Sequence, residues 1–252
     1  MPTLSAERSV AAAGLAAVLA LAGCGGPPEG FSPEAAESLP DAPVQRQAPL
    51  SQEAQSAETL EDLPVAELAD PQWISEATDS VGISERALLA YAGAALRLRE
   101  TAPECGIGWN TLAGIGQVES LHGTFGDASL DADGVASPEI IGIPLDGSEG
   151  VAEIPDTDGG ELDGDDVWDR AVGPMQFIPS TWETYAQDAT GDGSPDVHNI
   201  DDASLTAAVY LCRSGGEISD DDGFAAGVGA YNRSVEYVND VARWAEEYAG
   251  SF

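Results

Sequence analysis

One carboxylic acid is set apart by its neighbours. Glu119 lies near the end of the run Ile115-Gly116-Gln117-Val118-Glu119-Ser120, so an acidic group closes an otherwise apolar stretch. An acid that protonates a glycosidic oxygen needs its pKa raised, and removal from water raises it. A second pattern is a set of oxygen donors. Asp188, Thr190, Asp192 and Asp196 occupy positions one, three, five and nine of a loop with Gly193 at six, the spacing of a calcium loop. Its twelfth position is Asn199 rather than the usual Glu, and Asp201 or Asp202 is the carboxylate available to replace it. An Asp-Gly turn without metal is the alternative. His122 and His198 are the only histidines and stand apart from any ligand cluster, which argues against zinc.

Several elements must position these groups. Ser84 can cap a helix over 84–99, with Leu88, Tyr91, Ala92, Ala95, Leu96 and Leu98 on its apolar face and Pro103 beyond its end. A second helix is expected over 109–120, ended by His122-Gly123. Further helices are expected over 181–187 with Ser180 as cap, over 203–213, over 224–231 and over 235–248. Alternation of period two is scarce, so the fold class is mainly α, with few short strands.

Between 127 and 169 the helical pattern stops. This stretch holds 14 acidic residues, many beside glycine. An insertion of this length in a folded domain is usually functional or mobile. Turns and a small hairpin or two around 140–143 are expected, serving as a substrate flap, a further cation site or a solvated loop. Asp169-Arg170 reads as an ion pair or a turn.

The chain as a whole sets limits. Nine basic residues, all Arg, face 45 acidic ones, a formal net charge of −36. Such a field repels nucleic acid and anionic lipid and attracts divalent cations. Residues 9–22 form an apolar run behind Arg8, too short for a membrane span but right for an export signal. Leu21-Ala22-Gly23-Cys24 then matches a bacterial lipobox, with Cys24 as the lipidated residue. Export from the cytoplasm makes Cys105 and Cys212 an expected disulfide, closing a loop of about 107 residues worth up to roughly 4–5 kcal/mol. Half of the chain's 16 prolines fall within 25–71. Three parts are therefore expected: a signal over 1–23, a lipidated Cys24 with a disordered tether over 24–71, and a catalytic domain over 72–252.

Three strings carry a family resemblance: Val118-Glu119-Ser120-Leu121-His122-Gly123, Gly173-Pro174-Met175-Gln176-Phe177-Ile178-Pro179-Ser180-Thr181-Trp182, and Ala230-Tyr231-Asn232. In order and separation they resemble the lytic transglycosylases of lysozyme-like fold, most of all the membrane-bound lytic transglycosylase B family, over about 80–250. The resemblance implies an α+β lysozyme-like domain and Glu119 as acid and then base. It would cleave the MurNAc–GlcNAc bond of peptidoglycan while the C6 hydroxyl of the muramoyl sugar closes on C1 as a 1,6-anhydro ring. One carboxylate suffices for this, where hydrolytic glycosidases use two. By position it implies Ser120, Met175, Gln176, Tyr231 and Asn232 along the sugar groove, with Phe177, Ile178 and Trp182 in the core. It implies no cofactor for the chemistry beyond a structural calcium at Asp188, Thr190, Asp192, Asp196 and Asp202. A muramidase of the same fold, using Asp127, Asp131 or another residue of the insertion as a second carboxylate, is the rival reading. A non-catalytic envelope lipoprotein holding glycan or calcium is the third. The expected partners are glycan strands and, through Cys24, the membrane; nothing suggests more than a monomer.

Overall fold

Apolar residues at helical spacing dominate, and helices result. The computed structural model describes residues 31, 32, 38–148 and 150–252. The expected export signal over 1–23 and Cys24 lie outside them. The described helices are α1 (Gln52–Ser56), α2 (Pro71–Val81), α3 (Glu85–Thr101), α4 (Trp109–Ser120), α5 (Pro179–Tyr185), α6 (Ile200–Gly215), α7 (Asp221–Tyr231) and α8 (Val235–Ser251). Each long helix starts on a residue suited to the task. Asp70, Ser84, Asn199, Asp220 and Ser234 each accept a backbone N–H of the first turn. The exception is α4, which begins after Gly108 with no side-chain cap.

Helix α3 is the centre, buried from Ala90 through Leu98. It packs against α6 on one side and α4 on another, while α4 lies along α8 and α7 against α6. Gly93 is needed for close approach, because a Cβ there would sit 2.0 Å from the Val65 carbonyl oxygen. Cys105 and Cys212 form the expected disulfide, joining the turn between α3 and α4 to α6.

The tether expectation is corrected over 38–71. These residues lie on the domain, with Ala48, Ala54, Leu60, Val65, Leu68 and Ala69 all buried. The segment is held through its backbone. Asn110 donates to the Val44 carbonyl and accepts from Arg46 N, Gln47 donates to the Ile107 carbonyl, and Ser51 N donates to the Leu68 carbonyl. Prolines spaced among small apolar residues suit an extended strap whose polar groups are met by the domain. Further upstream, the Phe31 ring is buried against Gly229 of α7.

Among the described residues, four short strands make two antiparallel pairs: β1 (Ser129–Leu130) with β2 (Ala136–Ser137), and β3 (Ile141–Pro144) with β4 (Arg170–Val172). The part of the acidic insertion beyond β3 thus returns through β4, so Pro144 and Arg170 lie side by side. Arg170 pairs with Asp165 rather than with Asp169, whose carboxylate accepts from Thr157 N and Oγ1. Helix α5 starts at Pro179, ahead of the expected Ser180 cap, because proline needs no donor in a first turn. Helix α6 begins three residues early, as Asn199 caps it and Asp201 and Asp202 fall in its favourable first turn. No described helix is long and apolar enough to cross a membrane.

Candidate active site

Glu119 sits in the last turn of α4, and three other pieces of chain meet it. The first is the turn after β4. Gly173 adopts φ 80°, and a Cβ there would lie 2.0 Å from the Val197 carbonyl oxygen. Ser120 Oγ donates to the Pro174 carbonyl and accepts from Gly123 N, tying the end of α4 to this turn. The second is the end of α7, which supplies Tyr231. The third is the first turn of α8, where Ser234 caps and Tyr237 follows three residues later.

Tyr237 donates its phenolic hydrogen to Glu119 Oε1 in a short bond. Part of Glu119 remains open to solvent. Burial of the carboxyl nevertheless pushes its pKa up to about 7, against a smaller downward pull from the Tyr237 hydrogen bond. No acidic neighbour contributes to this shift. The Tyr231 hydroxyl is buried with no hydrogen-bond partner among the described residues, and its pKa is raised by burial first and then by Glu119. The group is thus a carboxylic acid that is half protonated near neutrality, with one phenol bonded to it and another nearby. It can give a proton to a basic leaving oxygen and take one back.

The remaining expected residues divide. Gln176 is half-buried at φ 49°, and its amide donates to the carbonyls of Gly173 at 2.9 Å and Ile140 at 3.4 Å. Asn232 is exposed, its side-chain oxygen accepting from Ser234 N. Met175 and Ser120 are corrected from groove-lining to structural, since both are buried: Met175 packs in the core, and Ser120 is used by the turn. Phe177 and Trp182 are buried as expected. Tyr237 was missed, although the Ser234 cap fixes its place in a helical first turn beside Tyr231. His122 was set aside as a non-ligand, yet it lies buried between Tyr91 and Tyr248.

Strain is concentrated here. Among the described residues, the non-glycine residues with positive φ are Leu121, His122 and Gln176. Such backbone costs of order 1–3 kcal/mol per residue and persists only where surrounding contacts enforce it.

The loop after α5 answers the calcium expectation. Asp188 accepts from Gly191 N, Gly193 N and Thr190 Oγ1, while Asp192 and Asp196 accept from Ser194 N and His198 N. Asp202, buried at the start of α6, accepts from Ala189 N, Thr190 N and Asp196 N and so closes the loop. The hard oxygens of Asp188, Thr190 and Asp192 suit calcium chemically. A closer carboxylate group lies elsewhere. Oxygens of Asp156, Asp158 and Asp169, all in the insertion, come within 4.8 Å of one another.

Residues 162–226 match the family model described as Transglycosylase SLT domain. The match spans 65 of the chain's 252 residues. The matched part holds the 173–182 string and the 188–202 loop, whereas Glu119, Tyr231 and Tyr237 fall outside it. Among solved structures, the chain is similar to the Escherichia coli lytic transglycosylase Slt35 in complex with bulgecin A. The identity is 15%, covering 81% of this chain and 84% of that one, with a TM-score of 0.42. The calcium complex of Slt35 matches at 15% identity over the same shares, with a TM-score of 0.43. SltB3 from Pseudomonas aeruginosa, in complex with NAG-anhNAM-pentapeptide, matches at 15% identity over 71% of this chain and 66% of that one, with a TM-score of 0.39. No curated protein matches the sequence.

Proposed function

We propose that this protein is a lytic transglycosylase that cleaves the MurNAc–GlcNAc bond of peptidoglycan and leaves a 1,6-anhydro-MurNAc end. The observation that carries the reading is Glu119: a buried carboxyl raised to about 7, bonded by Tyr237, with no carboxylate contributing to its shift. The SLT domain match supplies the substrate class. In the neutral form Glu119 protonates the glycosidic oxygen as the bond to C1 breaks. The resulting carboxylate then removes the proton from the C6 hydroxyl, whose oxygen bonds to C1. The acid is regenerated and water is not consumed. The neutral phenol of Tyr237 holds Glu119 in place through both steps.

A muramidase would need a second carboxylate to direct water. Of the named candidates, Asp131 accepts from Asp133 N and Val135 N within its own turn. Gln176, Tyr231 and Asn232 remain the proposed glycan contacts, and Asp188, Thr190 and Asp192 the proposed calcium contacts. The proposed location is outside the cytoplasm, with a monomer anchored to the membrane by lipid on Cys24.

The test is mass spectrometry of peptidoglycan digested by the chain from residue 25 onward, beside Glu119→Gln. The strap over 38–71 must be kept, because it is part of the folded domain. Anhydro products from the wild type alone are expected. Reducing-end products would reassign the protein as a muramidase, and equal release by both chains would remove Glu119 from the chemistry.

A further inference from the structure

His122 lies three residues beyond Glu119, at φ 60°, directly after Leu121 at φ 54°. The two form the stop of α4: Leu121 N donates to the Gln117 carbonyl and His122 N to the Gly116 carbonyl. Such stops usually employ glycine, which has no Cβ penalty there. Here two residues with side chains take the left-handed conformation, and only one of them is anchored. Leu121 is 50% exposed, whereas His122 is 8% exposed.

The anchoring fixes a proton order. Tyr248 donates to Gln117 Oε1 at 3.1 Å, so its oxygen is left to accept from His122 Nε2–H at 3.0 Å. Nδ1 is then bare and accepts from the Tyr91 hydroxyl at 3.2 Å. The chain of bonds runs from Tyr91 on α3, through His122, to Tyr248 on α8 and back to Gln117, two residues before Glu119. It requires a neutral imidazole, and burial lowers the His122 pKa to about 4. Helix α8 also carries Tyr237, about 16 Å along its axis from Tyr248 at 1.5 Å per residue. Helix α8 therefore grips the end of α4 twice, once at Glu119 and once through His122.

We propose that His122 is a positioning residue for Glu119: its neutral imidazole, bridging Tyr91 and Tyr248, holds the strained end of α4 so that the Glu119 carboxyl stays buried against Tyr237. The inference rests on the reading of Glu119 as the acid. The groups facing Glu119 are Tyr237 and Tyr231, and those facing His122 are Tyr91 and Tyr248.

The test is His122→Asn in the chain from residue 25 onward, with anhydro-muropeptide release followed across pH. Asn accepts the left-handed backbone but is too short to bridge both tyrosines. With Glu119 freed toward water, kcat should fall by about tenfold or more, with KM within about twofold. The alkaline limb of kcat/KM should move down by about one pH unit, because solvation favours the carboxylate. Tyr248→Phe removes the other end of the bridge and should move the limb the same way, which keeps the proposal testable if His122→Asn does not fold. A limb that stays in place for the folded variants, with kcat within twofold of wild type, overturns the proposal. Glu119→Gln run in parallel separates the two failures: activity there overturns the acid assignment as well, and inactivity there beside normal His122 variants overturns this inference alone.

Discussion

The Tyr237 hydroxyl donates to Glu119 Oε1 from the first turn of α8, across the junction of two helices that are 118 residues apart at this point. A donated hydrogen bond favours the charged form of a carboxyl and so offsets part of the upward shift that burial causes. Tyr237→Phe removes that offset without adding bulk. The alkaline limb of kcat/KM should then move above its wild-type position near pH 7, opposite to the direction expected for His122→Asn. The rate at pH 6 should drop about tenfold because the acid is held less well. A pH–rate profile on soluble glycan checks both effects, and a limb that does not rise would show that the bond does not tune Glu119.

Glu119 also taxes the fold, with a definite sign. Its folded pKa, about 7, lies above the ordinary carboxylate value near 4.3. The folded state therefore binds the proton more tightly than the unfolded chain. The penalty is absent below about pH 4, grows as pH rises, and is complete above about pH 7. A shift of this size corresponds to about 3–4 kcal/mol. Glu119→Gln, which cannot ionise, should raise Tm at pH 8 by roughly 5–10 °C and change it little at pH 4.5. Calorimetry at the two pH values decides, and an equal change at both would mean that packing rather than ionisation is responsible.

The sequence reading succeeded where the cause is local. Helix α4 matched its expected limits because an apolar run opens after Gly108 and closes on a stop at 121–123. The disulfide was expected from an even cysteine count and the expectation of export, and Cys105 and Cys212 are joined. The strap over 38–71 was missed because prolines and acids dominate its composition, while Val65, Leu68 and Ala69 find their partners far along the chain. Strand β3 pairs with β4 across most of the insertion, with an irregular register, so no local alternation announces it. At the site, motif position singled out Glu119 and Tyr231, which the fold brings near one another, but could not distinguish a buried Met175 from an exposed Asn232. Tyr237 and His122 matter only because α3, α4, α7 and α8 converge on them.

Asp202 gives a prediction about the loop after α5. Its two oxygens accept three backbone N–H groups, from Ala189, Thr190 and Asp196. Asp202→Ala leaves those donors without their partner, at a cost of about 1–3 kcal/mol for each that water cannot reach. Tm should fall by roughly 5 °C or more, with kcat at 25 °C retained, since the loop touches none of the groups that bind Glu119. A variant as stable as wild type would show that Asp202 is not what closes the loop.

The corrected tether changes how far the enzyme can reach. Phe31 is the first described residue buried in the core, and it lies seven positions after Cys24. Seven residues span at most about 25 Å when fully extended, whereas a free tether through residue 71 would span several times that. Phe31 packs on Gly229, two residues before Tyr231, so the proposed lipid would hold the end of α7 near the membrane surface. Lipidated wild type should then cleave only the glycan strands nearest the membrane, while the lipid-free chain works on isolated sacculi throughout. A flexible insertion of about 30 residues after Gly26 should raise release of anhydro products from intact walls, with no change on soluble strands. Phe31→Ala should give a smaller gain, because loss of that seat passes the restraint to the strap that begins at Ser38. Measuring release from intact walls and from soluble strands with the same preparations separates reach from catalysis, and equal wall release by all three chains would show that the tether does not set the depth of action.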